Sequence, residues 1–298
     1  MTGFILLNKK EGVTSFKAVS TVRHITGEKK AGHSGTLDPM ATGLLPIALG
    51  GATRFLSFLP SGEKAYTARF RLGLTTDTLD ITGKITSETE VVSREEDVLA
   101  VLPFFKGKIK QTPPIYSAIS KDGVRLYKLA RQGLEIEREE REINVYSLEL
   151  AAAYGHNEYE IKVECGTGTY IRSLISDIGA SLGCGAVMTA LKRTKSNGFS
   201  IDNSYTEDEL RALAAKSGLN EAVIPLESVF SDFAEVYITD AQKTRFQNGG
   251  ELDVSRLTGV KGDGLYRVFS KNGDFLGLGE KRPDVGSLFV KRSLNNSD

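Results

Sequence analysis

The period of the hydrophobic pattern changes several times along the chain, and each change predicts an element. Phe4 to Leu7 form a short continuous apolar run, which reads as a buried strand. Thr14 and Ser15 then offer caps for a helix running to about Ile25, with Gly27 as its stop. Residues 66–74, YTARFRLGL, alternate as a strand. EYEIKVEC (158–165) alternates strictly, so Tyr159, Ile161, Val163 and Cys165 share one face. The next stretch, GTGTYIRSLISDIGASLG, switches period. Ile171, Leu174, Ile175, Ile178 and Leu182 make a helical stripe that Gly183 can end. Arg172 falls off that stripe at the helix start, so the core does not claim it. Two capping boxes, Thr206 with Glu209 and Thr239 with Gln242, open further helices. LYRVFS and FLGLGE flank Asn272-Gly273, a strong hairpin signal.

Strands and helices mix without regular βαβ alternation and the hairpins look antiparallel, so the fold class is α+β. From about residue 233 a short helix and several strands fill the remaining 65 or so residues. That predicts a large unit, 1–232, and a small β-rich one, 233–298, with the boundary near SVFSDFAEV. A chain of 298 residues, 40% hydrophobic, suits that division.

Composition narrows the setting. No apolar run reaches the roughly 18 residues of a membrane span, and the N-terminus reads as a strand rather than a signal peptide. Cys165 and Cys184 form no CxxC pair or His/Cys cluster, so buried free thiols, a reducing cytoplasmic location and no structural metal are expected. Formal net charge is zero, which argues against polyanion binding by bulk charge. The distribution is uneven. Residues 101–134 hold seven Lys and Arg against one acid, Asp122, and KRTK (192–195) adds three more. The acids gather in 87–97 and 135–142, which permits one positive and one negative face. A basic segment by itself is more often just a solvated face.

The chain lacks GxGxxG after a strand, GxxxxGK[ST], HExxH and GxSxG, so nucleotide cofactors and catalytic metals have no visible motif. What stands out is a carboxylate in a Gly-rich loop, AGHSGTLDPMATG (31–43). Gly32 and Gly35 are suited to positive φ, and Pro39 restrains Asp38 to extended geometry. Asp38 is either a preorganised reactive group or a turn residue bonded to nearby backbone N–H groups. Tyr170 and Arg172 lie in a second Gly-rich stretch, and Arg172 is a natural bidentate partner for a buried carboxylate. An Asp paired with Arg stays ionised, which suits a nucleophile or base.

Four stretches carry a family resemblance. GHSGTLDPMATGLLPIALGGATRF resembles the signature of the bacterial tRNA pseudouridine-55 synthases, the TruB family. KAYTARFRLGLTTDTLDITG, QTPPIYSAISKDGVRLYKLARQG and CGTGTYIRSLISDIGASLGCGA are similar to that family's second, third and fourth motifs, in the same order. The resemblance covers most of residues 4–200, and the tail is similar, more weakly, to a small PUA-type RNA-binding domain. It implies a mixed, largely antiparallel central sheet with flanking helices, and isomerisation of uridine to pseudouridine in the T-arm loop of tRNA. It implies no cofactor, no protein partner and no membrane, and a monomer is expected.

The same resemblance supplies roles for single residues. Asp38 falls on the catalytic aspartate and Arg172 on the arginine that pairs with it. Tyr66 falls on the aromatic residue that stacks on the target uracil and is a candidate base. His33 matches a histidine that contacts RNA as the nucleotide flips out. Tyr170, Asp80 and Leu191 match pocket positions and Lys9 a lysine beside the first strand, so all four are expected to bind the RNA substrate, whereas Lys10 stands where many relatives have Pro. The basic run 101–134 would track phosphates and, with loops at Pro113-Pro114 and Gly123, order on RNA contact. Two other readings stay open: a non-catalytic RNA-binding or tRNA-folding protein, and a hydrolase with an aspartyl nucleophile for which Asp80 is the only visible second carboxylate.

Overall fold

The computed structural model describes residues 1–298 apart from 61, 117–119, 122–123, 126–137 and 295–298. In chain order the elements begin with β1 (Gly3–Lys9), α1 (Ser15–Thr26), β2 (Ala31–His33), β3 (Thr42–Leu49), β4 (Lys64–Leu72), β5 (Leu74–Thr76), β6 (Ile85–Glu88) and α2 (Glu95–Val101). They continue with β7 (Gly107–Gln111), β8 (Ser120–Lys121), β9 (Val124–Arg125), β10 (Arg141–Gly155), β11 (Glu158–Cys165), α3 (Ile171–Ser181), β12 (Ala186–Ser196) and β13 (Phe199–Ser200). The last set is α4 (Glu207–Ala215), α5 (Leu226–Val229), β14 (Ala234–Ile238), α6 (Asp240–Gln247), β15 (Leu252–Asp253), β16 (Gly264–Ser270), β17 (Phe275–Lys281) and β18 (Ser287–Ser293).

The main sheet runs β1-β3-β12-β4-β11-β10-β7, with β2 added beside β3 and β13 beside β12. Every pair is antiparallel except β3 with β12, where Thr42 and Gly43 face Lys192 and Arg193. This is the mixed, largely antiparallel sheet that the resemblance implies. The α3 stripe follows the sequence pattern: Leu174, Ile175 and Ile178 are fully buried against the sheet. Gly179 lets the helix end turn tightly into β12, because a Cβ there would collide with the Ala186 backbone. Thr14 caps α1 by accepting from Lys17 N–H, and Gly27 ends the helix at φ 69°.

Of the strands that the pattern does not reveal, two bear on the site. β3 contains Pro46, which argues against a strand, yet its carbonyl still serves the sheet edge by accepting from Ser34 N–H. β12 ends in KRTK, which reads as surface, but strand alternation turns Leu191 and Arg193 inward and leaves Lys192 and Lys195 exposed. The split into a positive and a negative face that the charge pattern permits is incomplete. β7 pairs with β10, so Lys108 meets Glu142 at 3.4 Å and Lys110 meets Glu140 at 3.9 Å. The acidic run thus neutralises part of the basic run. Lys106 is exposed, whereas Lys128 and Arg131 lie outside the described residues.

From Ala234 onward the chain builds a second sheet, β14-β16-β17-β18-β15, around Val236, Phe246, Val268 and Leu288. The Asn272-Gly273 hairpin is β16–β17, closed by Ser270 N–H to Asp274 O at 2.8 Å. A separate aromatic core joins this sheet to the first. Phe55, fully buried, lies 6.1 Å ring to ring from both Phe230 and Phe275. None of the described helices is long and apolar enough to cross a membrane.

Phe55 therefore holds the junction between the two sheets. Phe55→Ala should lower the unfolding free energy by roughly 3–5 kcal/mol, as for a fully buried aromatic. Phe104→Ala, at a ring 78% exposed, should change it by less than about 0.5 kcal/mol. Urea unfolding of the two variants checks the contrast.

Candidate active site

Asp38 lies in the loop between β2 and β3, and hydrogen bonds fix the backbone on both sides of it. Ser15 Oγ donates to Leu37 O at 3.0 Å and accepts from Leu37 N–H at 2.8 Å. Pro39 O accepts from Gly12 N–H at 2.9 Å and from Lys9 Nζ at 3.2 Å. The Asp38 carbonyl accepts from Ala41 N–H at 3.0 Å. Gly35 has φ 80°, as its place in the loop suggests. Gly32 does not: it is drawn into β2 opposite Ala48, and the ladder fixes it extended. The loop is thus rigid before anything binds.

The carboxylate faces Arg172, at the first turn of α3. Arg172 Nε lies 3.0 Å from Asp38 Oδ2. The contact is not the bidentate fork that sequence suggests. Nη1 donates to Thr78 O and Nη2 to Tyr116 O, each at 2.9 Å, so backbone carbonyls take the outer edge of the guanidinium. Asp80 adds a second carboxylate, Oδ2 lying 3.7 Å from Arg172 Nη1. Its other oxygen accepts from Thr82 Oγ1 at 2.6 Å, Thr82 N–H at 3.0 Å and Thr78 Oγ1 at 3.0 Å. Arg172 is 5% exposed and Asp80 5% exposed, so both are structural walls of the site.

Burial pushes the Asp38 carboxyl above its ordinary range; Arg172 pulls it down, Asp80 pushes it up, and the net shift is upward. Arg172 thus works against desolvation, the largest influence on the group. The side chain still has 37% of its surface exposed, so solvent screening offsets part of that cost.

Tyr66 and Leu191 come from neighbouring strands, β4 and β12, and are 8% and 7% exposed. The Tyr66 hydroxyl lies beside the Arg193 guanidinium, and burial pushes its pKa up to about 12. Arg193 is fully buried, its Nε donating to Leu44 O at 2.8 Å and Nη2 to Gly35 O at 3.1 Å. It ties Tyr66, β3 and the Asp38 loop together, and a Cβ at Gly43 would collide with its backbone. Sequence reasoning missed Arg193. The signal that could have found it is the two-residue step from Leu191 within a strand. Gln111 was missed as well. Its side chain accepts from Tyr170 N–H at 2.8 Å and donates to Tyr170 O at 3.0 Å, fixing the backbone just before Arg172.

Two expected RNA contacts lie elsewhere. Lys9 is 1% exposed behind the loop, donating to Lys10 O, Val13 O and Pro39 O. All three protons are engaged on carbonyls, so the ammonium anchors the Asp38 loop; burial lowers its pKa to about 8. His33 is half-buried on β2 and does not line the cavity. Burial and the Arg193 charge keep its imidazole below its usual pKa, and Nδ1 has no partner among the described residues.

The cavity itself measures about 750 Å³. Asp38, Tyr66, Asp80, Tyr170, Arg172 and Leu191 all line it, together with Lys64, Thr78 and Thr82. No group of His, Cys, Asp and Glu that could hold a metal ion occurs among the described residues.

Residues 23–171 match the model for the TruB family pseudouridylate synthase N-terminal domain. Residues 172–231 match the tRNA pseudouridylate synthase B C-terminal domain, and 234–293 the pseudouridine synthase II TruB C-terminal domain. The chain belongs to the TruB family of pseudouridine synthases. It is similar to the tRNA pseudouridine synthase B of Clostridium tetani, 42% identical over 98% of this chain and 99% of that protein. The tRNA pseudouridine synthase B of Pseudomonas fluorescens Pf0-1 is 41% identical over 99% of this chain and 96% of its own. Among solved structures, a chain of a Cbf5-Nop10-Gar1 complex superposes with a TM-score of 0.72 at 27% identity, covering 98% of this chain and 84% of its own. A chain of an H/ACA RNP bound to a substrate RNA containing 2'-deoxyuridine gives 0.71 at 25% identity, over 100% and 86%. Like the rest of the TruB family, the chain is an isomerase. A fixed carboxylate against a buried guanidinium, with an aromatic wall beside it, suits covalent or proton-transfer work on a planar base and its sugar.

Because the net effect of the fold raises the Asp38 pKa, the charged carboxylate costs stability at any pH above its unfolded value, and that cost disappears as pH falls below it. Asp38→Asn should therefore be more stable than the parent at pH 7, with the gain shrinking as pH falls toward the ordinary carboxylate pKa. Urea midpoints of both proteins at neutral and acidic pH measure this.

Proposed function

We propose that the chain isomerises uridine to pseudouridine at position 55, in the T-arm loop of tRNA, with the Asp38 carboxylate reacting at the ribose of a flipped-out nucleotide. The observation that carries the reading is the 3.0 Å contact of Arg172 with Asp38 on the wall of the cavity. The names of the 40%-identical relatives, tRNA pseudouridine synthase B, support tRNA as substrate. A pure RNA-binding protein has no use for a desolvated carboxylate whose charge the fold must offset.

Two routes use the same group. In one, an Asp38 oxygen bonds to C1′ as the N1–C1′ bond breaks and its electron pair stays on the uracil. The base turns, C5 bonds to C1′, and the carboxylate leaves. In the other, Asp38 takes the C2′ proton while N1–C1′ breaks, giving a glycal, and the proton returns to C2′ when C5 bonds to C1′. Both end with loss of the C5 proton and gain of one at N1, so atoms balance with no cofactor. Tyr66 stacks on the extruded uracil. Its phenol keeps its proton up to about pH 12, so water beside it, rather than a resting phenolate, takes the C5 proton. Extrusion costs a few kcal/mol, and stacking on Tyr66 returns roughly 1–3 kcal/mol of it. Asp80 and the Arg172 outer edge fix the geometry, while Tyr170 and Leu191 complete the pocket. His33 lies beside the loop as a neutral ring able to meet the displaced strand. The second unit, 233–298, serves as a PUA-like RNA-binding domain.

Unmodified tRNA transcript, incubated with the protein and mapped at nucleotide resolution, should show pseudouridine at position 55. Asp38→Asn should abolish product while RNA affinity stays within a few-fold; persistent product would remove Asp38 from the mechanism. Tyr66→Phe keeps the stacking ring, and single-turnover rates should fall less than about 10-fold, because the phenol is not the resting base.

A further inference from the structure

A second cleft, about 580 Å³, lies along the outward side of α1 where it meets α4, and shares no lining residue with the Asp38 cavity. Lys17, Ser20, Thr21, Arg23, His24 and Arg211 line it, with Gly27 and Glu28 at its end. α1 reads SFKAVSTVRHIT and contains no carboxylate. Ser15, Ala18 and Val22 form its buried side. Helical spacing then aligns Lys17, Thr21 and His24 on one outward ridge and Ser20 and Arg23 on the next.

The charge in this cleft is largely uncompensated. The Glu28 carboxylate is paired with the N-terminal ammonium, and Arg211 with Glu207 at 2.7 Å. Among the described residues, no carboxylate lies within ion-pair distance of Lys17 or Arg23, both exposed. An ammonium and a guanidinium on a rigid helix, with two hydroxyls between them, match the oxygens of a phosphodiester chain. Lys17 and Arg23 are six residues apart, about 9 Å along the axis at 1.5 Å per residue. That separation lets the two cations reach different phosphates of one strand. Phe16, 82% exposed, sits at the helix end nearest the Asp38 loop, because its neighbour Ser15 holds Leu37. Its open ring can meet a ribose or base. The whole chain has zero formal net charge, so this cationic strip is a local feature rather than part of a general excess.

From these features we infer that the α1 cleft is a second RNA-binding site, which holds phosphodiester backbone of the tRNA away from the reacting uridine. The inference rests on tRNA being the substrate. On that reading the Asp38 cavity takes the reacting nucleotide, and extruding it needs the rest of the polyanion to be gripped elsewhere.

The test is equilibrium binding of full-length unmodified tRNA to the intact protein and to a Lys17→Gln/Arg23→Gln variant, at salt from about 50 to 200 mM. The expected result is an affinity about 10-fold weaker at low salt and a plot of log K against log [salt] flattened by about 1.8, or 0.9 per lost phosphate contact. Both side chains are exposed, so the melting temperature should not move. An unchanged slope and affinity would overturn the inference while leaving the functional reading intact, provided the parent still forms pseudouridine. If the parent neither binds nor modifies tRNA, both fall together.

Discussion

The site depends on a balance at one carboxylate. Packing β1, β2, β3 and α1 around the Asp38 loop withdraws much of that group from bulk water, and burial pushes its pKa upward. Arg172 supplies the opposing charge, and it can do so only because its other N–H groups are held by Thr78 O and Tyr116 O. A guanidinium free to swing would follow the nearest carboxylate; this one is pinned between Asp38 and Asp80. A partly buried pair of this kind adds little to stability; what it fixes is the position of the carboxylate.

The rest of the large sheet serves that unit. Arg193 reaches from the central strand β12 to the Tyr66 hydroxyl and the Gly35 carbonyl, so base platform and reactive loop are referenced to one buried cation. Lys9 and Ser15 hold the loop from the β1–α1 side. Gln111 holds the backbone from which Arg172 projects. Four buried polar side chains on four different elements thus set the position of one oxygen, which is what preorganisation requires in physical terms.

Much of this was legible in the order of residues. The α3 stripe, the β11 alternation, the caps of α1, α4 and α6, and the β16–β17 hairpin follow from local periodicity and turn chemistry, and the fold follows them. Asp38, Arg172, Tyr66, Tyr170, Asp80 and Leu191 do converge on one cavity. What local pattern could not show was decided across the sheet. Pro46 hides β3, KRTK looks like surface until pairing with β4 turns Arg193 inward, and Gly32 is straightened by Ala48. Lys9 looked like a cation for RNA, but its three protons are spent on carbonyls that are distant in sequence or invisible to a side-chain pattern.

The most direct measurement is a crystal structure of the protein with a tRNA arm whose target uridine is extruded. The account predicts an Asp38 carboxylate oxygen about 3–3.5 Å from C1′, or from the hydrogen-bearing C2′, of that nucleotide, with Arg172 Nε still on the carboxylate and the Tyr66 ring against the uracil. A nucleotide seated in the cavity with its ribose turned away from Asp38, or a carboxylate that has left Arg172, would contradict it.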